Sequence, residues 1–99
     1  MPRTRYYVGM TTRGGRPVSA EQQDKLARAV VNAYDGGCTI YDAVGYWRGV
    51  RENTKVYEVL HDYPNADAGP RALSSVLARI AEQTTVLWTQ ETVNGGFSS

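Results

Sequence analysis

From Arg5 to Thr12 the chain alternates, with Tyr6, Val8 and Met10 on one side and Tyr7, Gly9 and Thr11 on the other, which is the period-two signature of a strand. Arg13-Gly14-Gly15-Arg16-Pro17 breaks the alternation. Ser19 followed by Gln22 forms a capping box, in which the hydroxyl accepts the Gln22 N–H and the amide returns to the Ser19 backbone, so a helix is predicted to begin there. Leu26, Ala27, Val30, Val31 and Tyr34 recur at helical spacing opposite Asp24, Lys25, Arg28 and Asn32, and Gly36-Gly37 supplies a left-handed stop. Cys38 to Trp47 is β-branched and aromatic and reads as a second strand, with Gly45 marking a bulge or a close approach. Arg48-Gly49-Val50-Arg51-Glu52-Asn53 reads as a connection, and Thr54 to His61 as the third strand. So short a connector favours an antiparallel hairpin, because a parallel crossover needs a dozen residues or more. Asp62-Tyr63-Pro64-Asn65 ends that strand. Pro70 suits a first helical turn, and Leu73, Val76, Leu77, Ile80 and Ala81 define a second amphipathic helix through about Gln83. Thr85 to Val93 is the fourth strand, and Asn94 to Ser99 is a tail.

The order βαββαβ predicts an α+β, ferredoxin-like fold: a four-stranded antiparallel sheet with two helices on one face, generated by two right-handed crossovers. Helices then cover only one face, yet both faces carry large apolar groups. Val56 and Leu60 point one way and Tyr57 and Val59 the other; Leu87 and Val93 oppose Val86 and Trp88. The helix-free face is therefore expected to be too apolar to stay wet and to be covered by a second copy, in a homo-oligomer such as a two-fold dimer, or by a ligand. The plainer alternative is that these residues fill the core while tyrosine hydroxyls reach water.

The 99 residues fit one domain spanning 1–99. A folded monomer of this mass is expected to expose about 5,600 Å². The net charge of +1 excludes a general binder of DNA or RNA polymers, and no basic stripe runs along either helix. Its distribution is uneven. Met1 to Ala20 holds four Arg and no acid, while the remainder has seven basic against ten acidic residues. Nine of the eleven basic residues are Arg, the side chain suited to planar and phosphorylated anions. No apolar run is long enough to cross a membrane, and MPRTRYYVGM lacks the apolar stretch of a signal peptide, so the expected location is cytoplasmic. One cysteine, Cys38, and one histidine, His61, exclude metal-ligand spacings, and no metal or cofactor is expected. Cys38 reads as a small buried residue rather than a reactive thiol.

The densest polar-aromatic stretch supplies Tyr41, Tyr46, Trp47, Arg48, Arg51, Lys55 and Tyr57, which an antiparallel hairpin is expected to bring onto a small area. Aromatic faces stack on flat rings, and Arg or Lys neutralises phosphate or carboxylate, so the patch suits a nucleotide-like or other flat anionic small molecule. The alternative is that the aromatics pack the sheet and the charges form a solvated hairpin tip. Arg13 and Arg16, flanking a glycine pair before a helix, are a second candidate contact for an anion, although the loop matches no phosphate-binding fingerprint. No catalytic residue is assigned. His61 reads as a strand-end surface residue, and a carboxylate pair of Glu58 with Glu91, joined by Asp42, is the alternative source of acid–base chemistry.

Tyr41 through Trp47-Arg48, then Arg51-Glu52-Asn53-Thr54-Lys55-Val56, framed by Tyr6-Tyr7-Val8-Gly9 and Pro17-Val18-Ser19, resembles an uncharacterised bacterial family of small βαββαβ domains over about Arg5 to Phe97. The resemblance implies the ferredoxin-like fold and no particular activity. Members often carry an export signal and a longer hairpin loop, whereas this sequence opens on the first strand and connects Trp47 to Arg51 tightly, so export is not expected and a role placed on that loop does not transfer. In size and site chemistry the chain is also similar in design to phage counter-defence proteins that sequester nucleotide signals. The reading is a non-enzymatic small-molecule binder that holds a nucleotide-like anion. The alternatives are a dimeric α+β barrel enzyme acting on a small acid, and a protein-binding adaptor.

Overall fold

The computed structural model describes residues 1–34, 38–61, 68–96 and 98. Its elements run β1 (Pro2–Gly9), α1 (Ala20–Tyr34), β2 (Thr39–Trp47), β3 (Val50–Leu60), α2 (Ala68–Ile80) and β4 (Leu87–Thr92). The strands form one antiparallel sheet in the order β2-β3-β1-β4, the expected ferredoxin-like arrangement. The glycine stop expected at Gly36 and Gly37 and the turn expected at 62–65 lie outside the described residues.

The capping box forms as predicted: the Gln22 N–H donates to Ser19 Oγ at 3.1 Å, and the Ser19 N–H donates to Gln22 Oε1 at 2.8 Å. The Gln22 amide also donates to the Ile80 carbonyl at 2.9 Å, so one side chain starts α1 and caps the end of α2. That end closes as a Schellman motif, with the Gln83 N–H on the Ala78 carbonyl and the Glu82 N–H on the Arg79 carbonyl. Glu82 occupies the left-handed position, φ 53°, where glycine is the usual choice.

Both helices pack on one face, burying Leu26 and Val30 of α1 and Leu73, Leu77 and Ala78 of α2 against Tyr6, Val8, Tyr57 and Val59 of the sheet. Val31, expected on the apolar stripe, is instead exposed at the helix edge. His61 departs further from expectation. β3 alternates through Tyr57 and Val59, so His61 falls on the helix-covered side and is buried, with Nε2 3.0 Å from Thr4 Oγ1 and its ring 4.9 Å from that of Tyr34. Gln90 donates to the same threonine at 3.2 Å, which makes this a structural polar cluster.

The largest correction concerns the hairpin. Residues 50–53 belong to β3, and the connection is two residues, Arg48 and Gly49, with φ 50° and 81°. Two successive positive φ values match the right-handed twist of the flanking strands, which is why so tight a turn joins them. β1 ends opposite Thr54, so the outer part of β2–β3 has no third strand beside it and projects as an arm. The molecule measures 43 × 26 × 26 Å, and its Cα radius of gyration is 13.6 Å, where about 12.6 Å is usual for this length. The solvent-accessible surface, 6560 Å², exceeds the compact expectation by roughly 1,000 Å².

The helix-free face is less apolar than expected. Across its far end the Arg5 Nε donates to Glu58 at 2.7 Å, Arg5 also lies 3.6 Å from Glu91, and Arg3 pairs with Glu91. Register places Tyr41 and Tyr7 on either side of Val56, which is buried although no helix covers it. Leu60 and Leu87 stay exposed.

Candidate functional site

The arm determines where the candidate residues go. Directly opposed residues of an antiparallel pair share a face, so Tyr46 and Arg51, Val44 and Asn53, and Asp42 and Lys55 form three successive rungs on the helix side. Tyr41 with Val56 and Trp47 with Val50 lie on the other side. Tyr46, Arg51 and Lys55 are thus brought onto one strip, while Tyr41 and Trp47 face away from them. Arg48 sits in the turn.

Tyr57 shares the strip's face but falls within the body of the fold, where it is buried under the helices. Its hydroxyl makes no hydrogen bond among the described residues, and burial pushes the phenol up to about 12. Arg13 and Arg16 lie in the β1–α1 loop. Arg16 is engaged by Glu82 at 3.2 Å, and the Arg13 N–H donates to the Glu82 carbonyl at 2.8 Å. The Gly15 and Arg16 N–H groups both turn inward, to the Thr12 carbonyl at 2.9 Å and to Thr12 Oγ1 at 3.1 Å. Gly15, with φ 84°, permits that closure, so the loop spends these donors on itself.

At the root of the strip, where the arm leaves the body, lies an open groove of about 480 Å³. Gln23 of α1 and Met10 form its inner side; Asp42, Val44, Asn53 and Lys55 line the arm. Lys55 Nζ is 2.7 Å from Asp42 Oδ1, which holds the ammonium at the groove wall. Arg51 lies 3.4 Å from Asn53 Oδ1 on the same face, and Tyr46 stands 70% exposed beyond it. The groove wall thus offers an ammonium paired with a carboxylate and two carboxamides, and the Arg51 guanidinium and the Tyr46 ring follow outside it on the same face toward the arm tip. The sequence pointed to Tyr46, Arg51 and Lys55 but not to Gln23, Asn53 or Met10. The arm–helix angle that brings those three together leaves no local pattern in the chain.

The carboxylates suspected of acid–base work are occupied. Glu58 is bridged to Arg5, and the Arg3 guanidinium holds the Glu91 carboxyl below the usual carboxylate range. Burial raises the thiol of Cys38, which is free and half-buried; a protonated thiol is a poor nucleophile. Among the described residues no cluster of three or more His, Cys, Asp or Glu is arranged to hold a metal ion, and no helix is long and apolar enough to cross a membrane.

No protein-family model matches the chain, and no curated protein matches it at a significant level. Several solved structures share its architecture, among them the following three. A phage SAM lyase in complex with S-methyl-5'-thioadenosine superimposes with a TM-score of 0.70 and 15% identity, covering 91% of this chain and 79% of the lyase. A DUF3240 family protein from Shewanella baltica gives a TM-score of 0.63 and 12% identity, covering 99% and 96%. A divalent cation tolerance protein from Thermus thermophilus gives 0.60 and 14%, covering 98% and 88%. Identities this low carry the fold and not the activity.

Proposed function

We propose that the chain is a small-molecule-binding protein that holds a flat, anionic, nucleotide-like ligand at the root of the hairpin arm and releases it unchanged. The observation that carries this reading is the strip of Tyr46, Arg51, Asn53 and Lys55 on one face of the arm, whose inner members Asn53 and Lys55 line the groove. Tyr46 supplies a stacking face. Arg51 supplies a planar fork for phosphate or carboxylate. Asn53 and Gln23 supply paired donors and acceptors for a ring edge. Lys55 is already shared with Asp42, so it adds positive potential rather than a free counter-ion. Sequestration by a cytoplasmic, phage-encoded protein fits this design, and the likeness to a phage protein that binds a nucleoside supports it. Self-association through the arm tip belongs to the same proposal, because Trp47 and Val50, each about two-thirds exposed, are surface that a second copy would cover.

The test is native mass spectrometry and calorimetry with adenine nucleotides and S-adenosylmethionine, with light scattering for the association state. Retention of an intact ligand, weakened about tenfold or more by Tyr46→Ala and by Arg51→Ala, is expected. Failure of every nucleotide to bind overturns the reading. The similarity to a SAM lyase favours one alternative, cleavage of S-adenosylmethionine, which appearance of S-methyl-5'-thioadenosine in the same incubation would establish.

A further inference from the structure

β2 is an edge of the sheet, and its outer side has no strand beside it among the described residues. The two-residue turn fixes which of its backbone groups are already used. Trp47 and Val50, which flank Arg48 and Gly49, exchange both hydrogen bonds, and by alternation along an unbroken register Gly45, Ala43, Tyr41 and Thr39 also bond to β3. Ile40, Asp42, Val44 and Tyr46 therefore turn their N–H and C=O groups outward. β3 agrees with this phase: Asn53, the register partner of Val44, turns away from β2 and accepts the Met10 N–H at 2.8 Å.

Exposed edges are ordinarily blunted by proline, lysine, a bulge or shortness. β2 runs nine residues with no proline, no lysine and no break in register. Five of the nine large apolar side chains that stand exposed among the described residues lie on this one strand: Ile40, Tyr41, Val44, Tyr46 and Trp47. The opposite edge, β4, is six residues long and mostly polar. The chain also exposes roughly 1,000 Å² more than a compact monomer of its mass, close to the about 800 Å² that each partner buries in a standard interface.

We infer that β2 of one copy pairs antiparallel with β2 of a second across a two-fold axis at Ala43, and that the groove is complete only in this dimer. The inference rests on the self-association in the proposed function and specifies its interface. An axis at Ala43 overlaps all nine residues, setting Ile40 opposite Tyr46 and Asp42 opposite Val44 of the second copy, so every outward residue finds a partner through about eight hydrogen bonds. On the helix-free side Tyr41 meets Gly45 of the second copy, where no side chain competes, and Ala43 meets its equivalent at the close spacing that suits a small residue. Moving the axis to Val44 sets Ile40 against the turn at Arg48, and moving it to Asp42 sets two carboxylates face to face. Ala43 is also where the arm begins, since it pairs with Thr54, opposite which β1 ends. Residues 44–47 of each arm then lie along residues 39–42 of the other body. The axis stands perpendicular to the sheet, which keeps the helices of both copies on one face. The groove, open beyond β2, thereby gains Val44 and Asp42 of the second copy as an outer wall.

The test is sedimentation of the full chain at micromolar concentration without ligand, together with oxidation of Ala43→Cys in a Cys38→Ala background. A dimer is expected. Ala43→Cys should be captured as a disulfide-linked dimer, because a Cα separation of about 4.5 Å across the axis lies within disulfide range, whereas Leu87→Cys in the same background should not. Val44→Pro removes an outward N–H and none that bonds β3, so it is expected to weaken the dimer about tenfold or more while circular dichroism stays that of the folded chain. If that variant unfolds, the disulfide decides. A monomer, a trimer, association undiminished by Val44→Pro in the folded protein, or no more capture at position 43 than at 87 each overturn the inference. None of these measurements involves nucleotide. A dimer that binds no nucleotide leaves the β2 interface standing, and a monomer that binds nucleotide overturns the interface alone.

Discussion

A single strand, β3, passes through two different environments. Val56, Tyr57 and Val59 are sealed by neighbouring strands or by the helices, whereas Val50, in the same strand, is 68% exposed and has only β2 for company. The side chains differ little in polarity; their neighbours differ completely. Burial in this protein is decided by how far β1 runs, because β1 stops opposite Thr54 and everything beyond it becomes arm. The body is specified by packing, while the arm keeps aromatic and charged groups free for something other than the chain itself.

The sharpest way to break this contrast is to truncate one large apolar side chain in each region. Leu77→Ala, in the sealed body, is expected to cost about 2–5 kcal/mol, visible as a large drop in the urea midpoint. Tyr46→Ala, on the arm, should change stability by no more than about 0.5 kcal/mol while removing nucleotide binding. Equal losses would mean that the arm is packed in solution.

Alkaline unfolding gives the next largest effect. The Tyr57 phenol titrates near 10 in the unfolded chain and at about 12 in the fold. Stability tied to the neutral phenol is therefore complete below pH 10 and lost progressively between 10 and 12, on the order of 2–3 kcal/mol. Tyr6, also raised by burial, prolongs the loss at higher pH. Denaturant melts across that window check the effect, and Tyr57→Phe should flatten the curve. At neutral pH the same substitution removes a buried hydroxyl that has no partner among the described residues and is expected to stabilise the protein by about 1 kcal/mol. Destabilisation would show that the hydroxyl is satisfied in solution.

The smallest effect lies at the arm tip. Arg48 holds φ 50° in a turn where Asn is favoured, so Arg48→Asn should stabilise by about 0.5 kcal/mol, read as a small rise in melting temperature. No change would indicate that the tip is already held by a partner.

Much of the body was legible in the chain because its signals are local. The Ser19–Gln22 box, the helical stripes and the alternation of Tyr6 and Val8 each act over a few residues, and each appears as expected except that Val31 of the first stripe is exposed. The arm was half legible. Its aromatic and basic residues were visible, but residues 50–53 read as a loop because Arg51-Glu52-Asn53 is polar, and polar residues stay in a strand once a partner supplies the ladder. The two-residue period of the strand then separates Trp47 from Tyr46, which adjacency in the sequence had placed together.

The sequence by itself determined the order βαββαβ, the start of α1 and the apolar faces, since propensity, capping and periodicity are properties of neighbouring residues. Tertiary structure alone decided that β1 stops short of the hairpin, that His61 and Tyr57 are buried, that Arg16 is claimed by Glu82, and that the carboxylate of Glu52 rests on Gly9. Each of these depends on which residues meet across gaps of tens of positions. That is set by register and by the angle at which elements pack, and neither leaves a mark on any short stretch of chain.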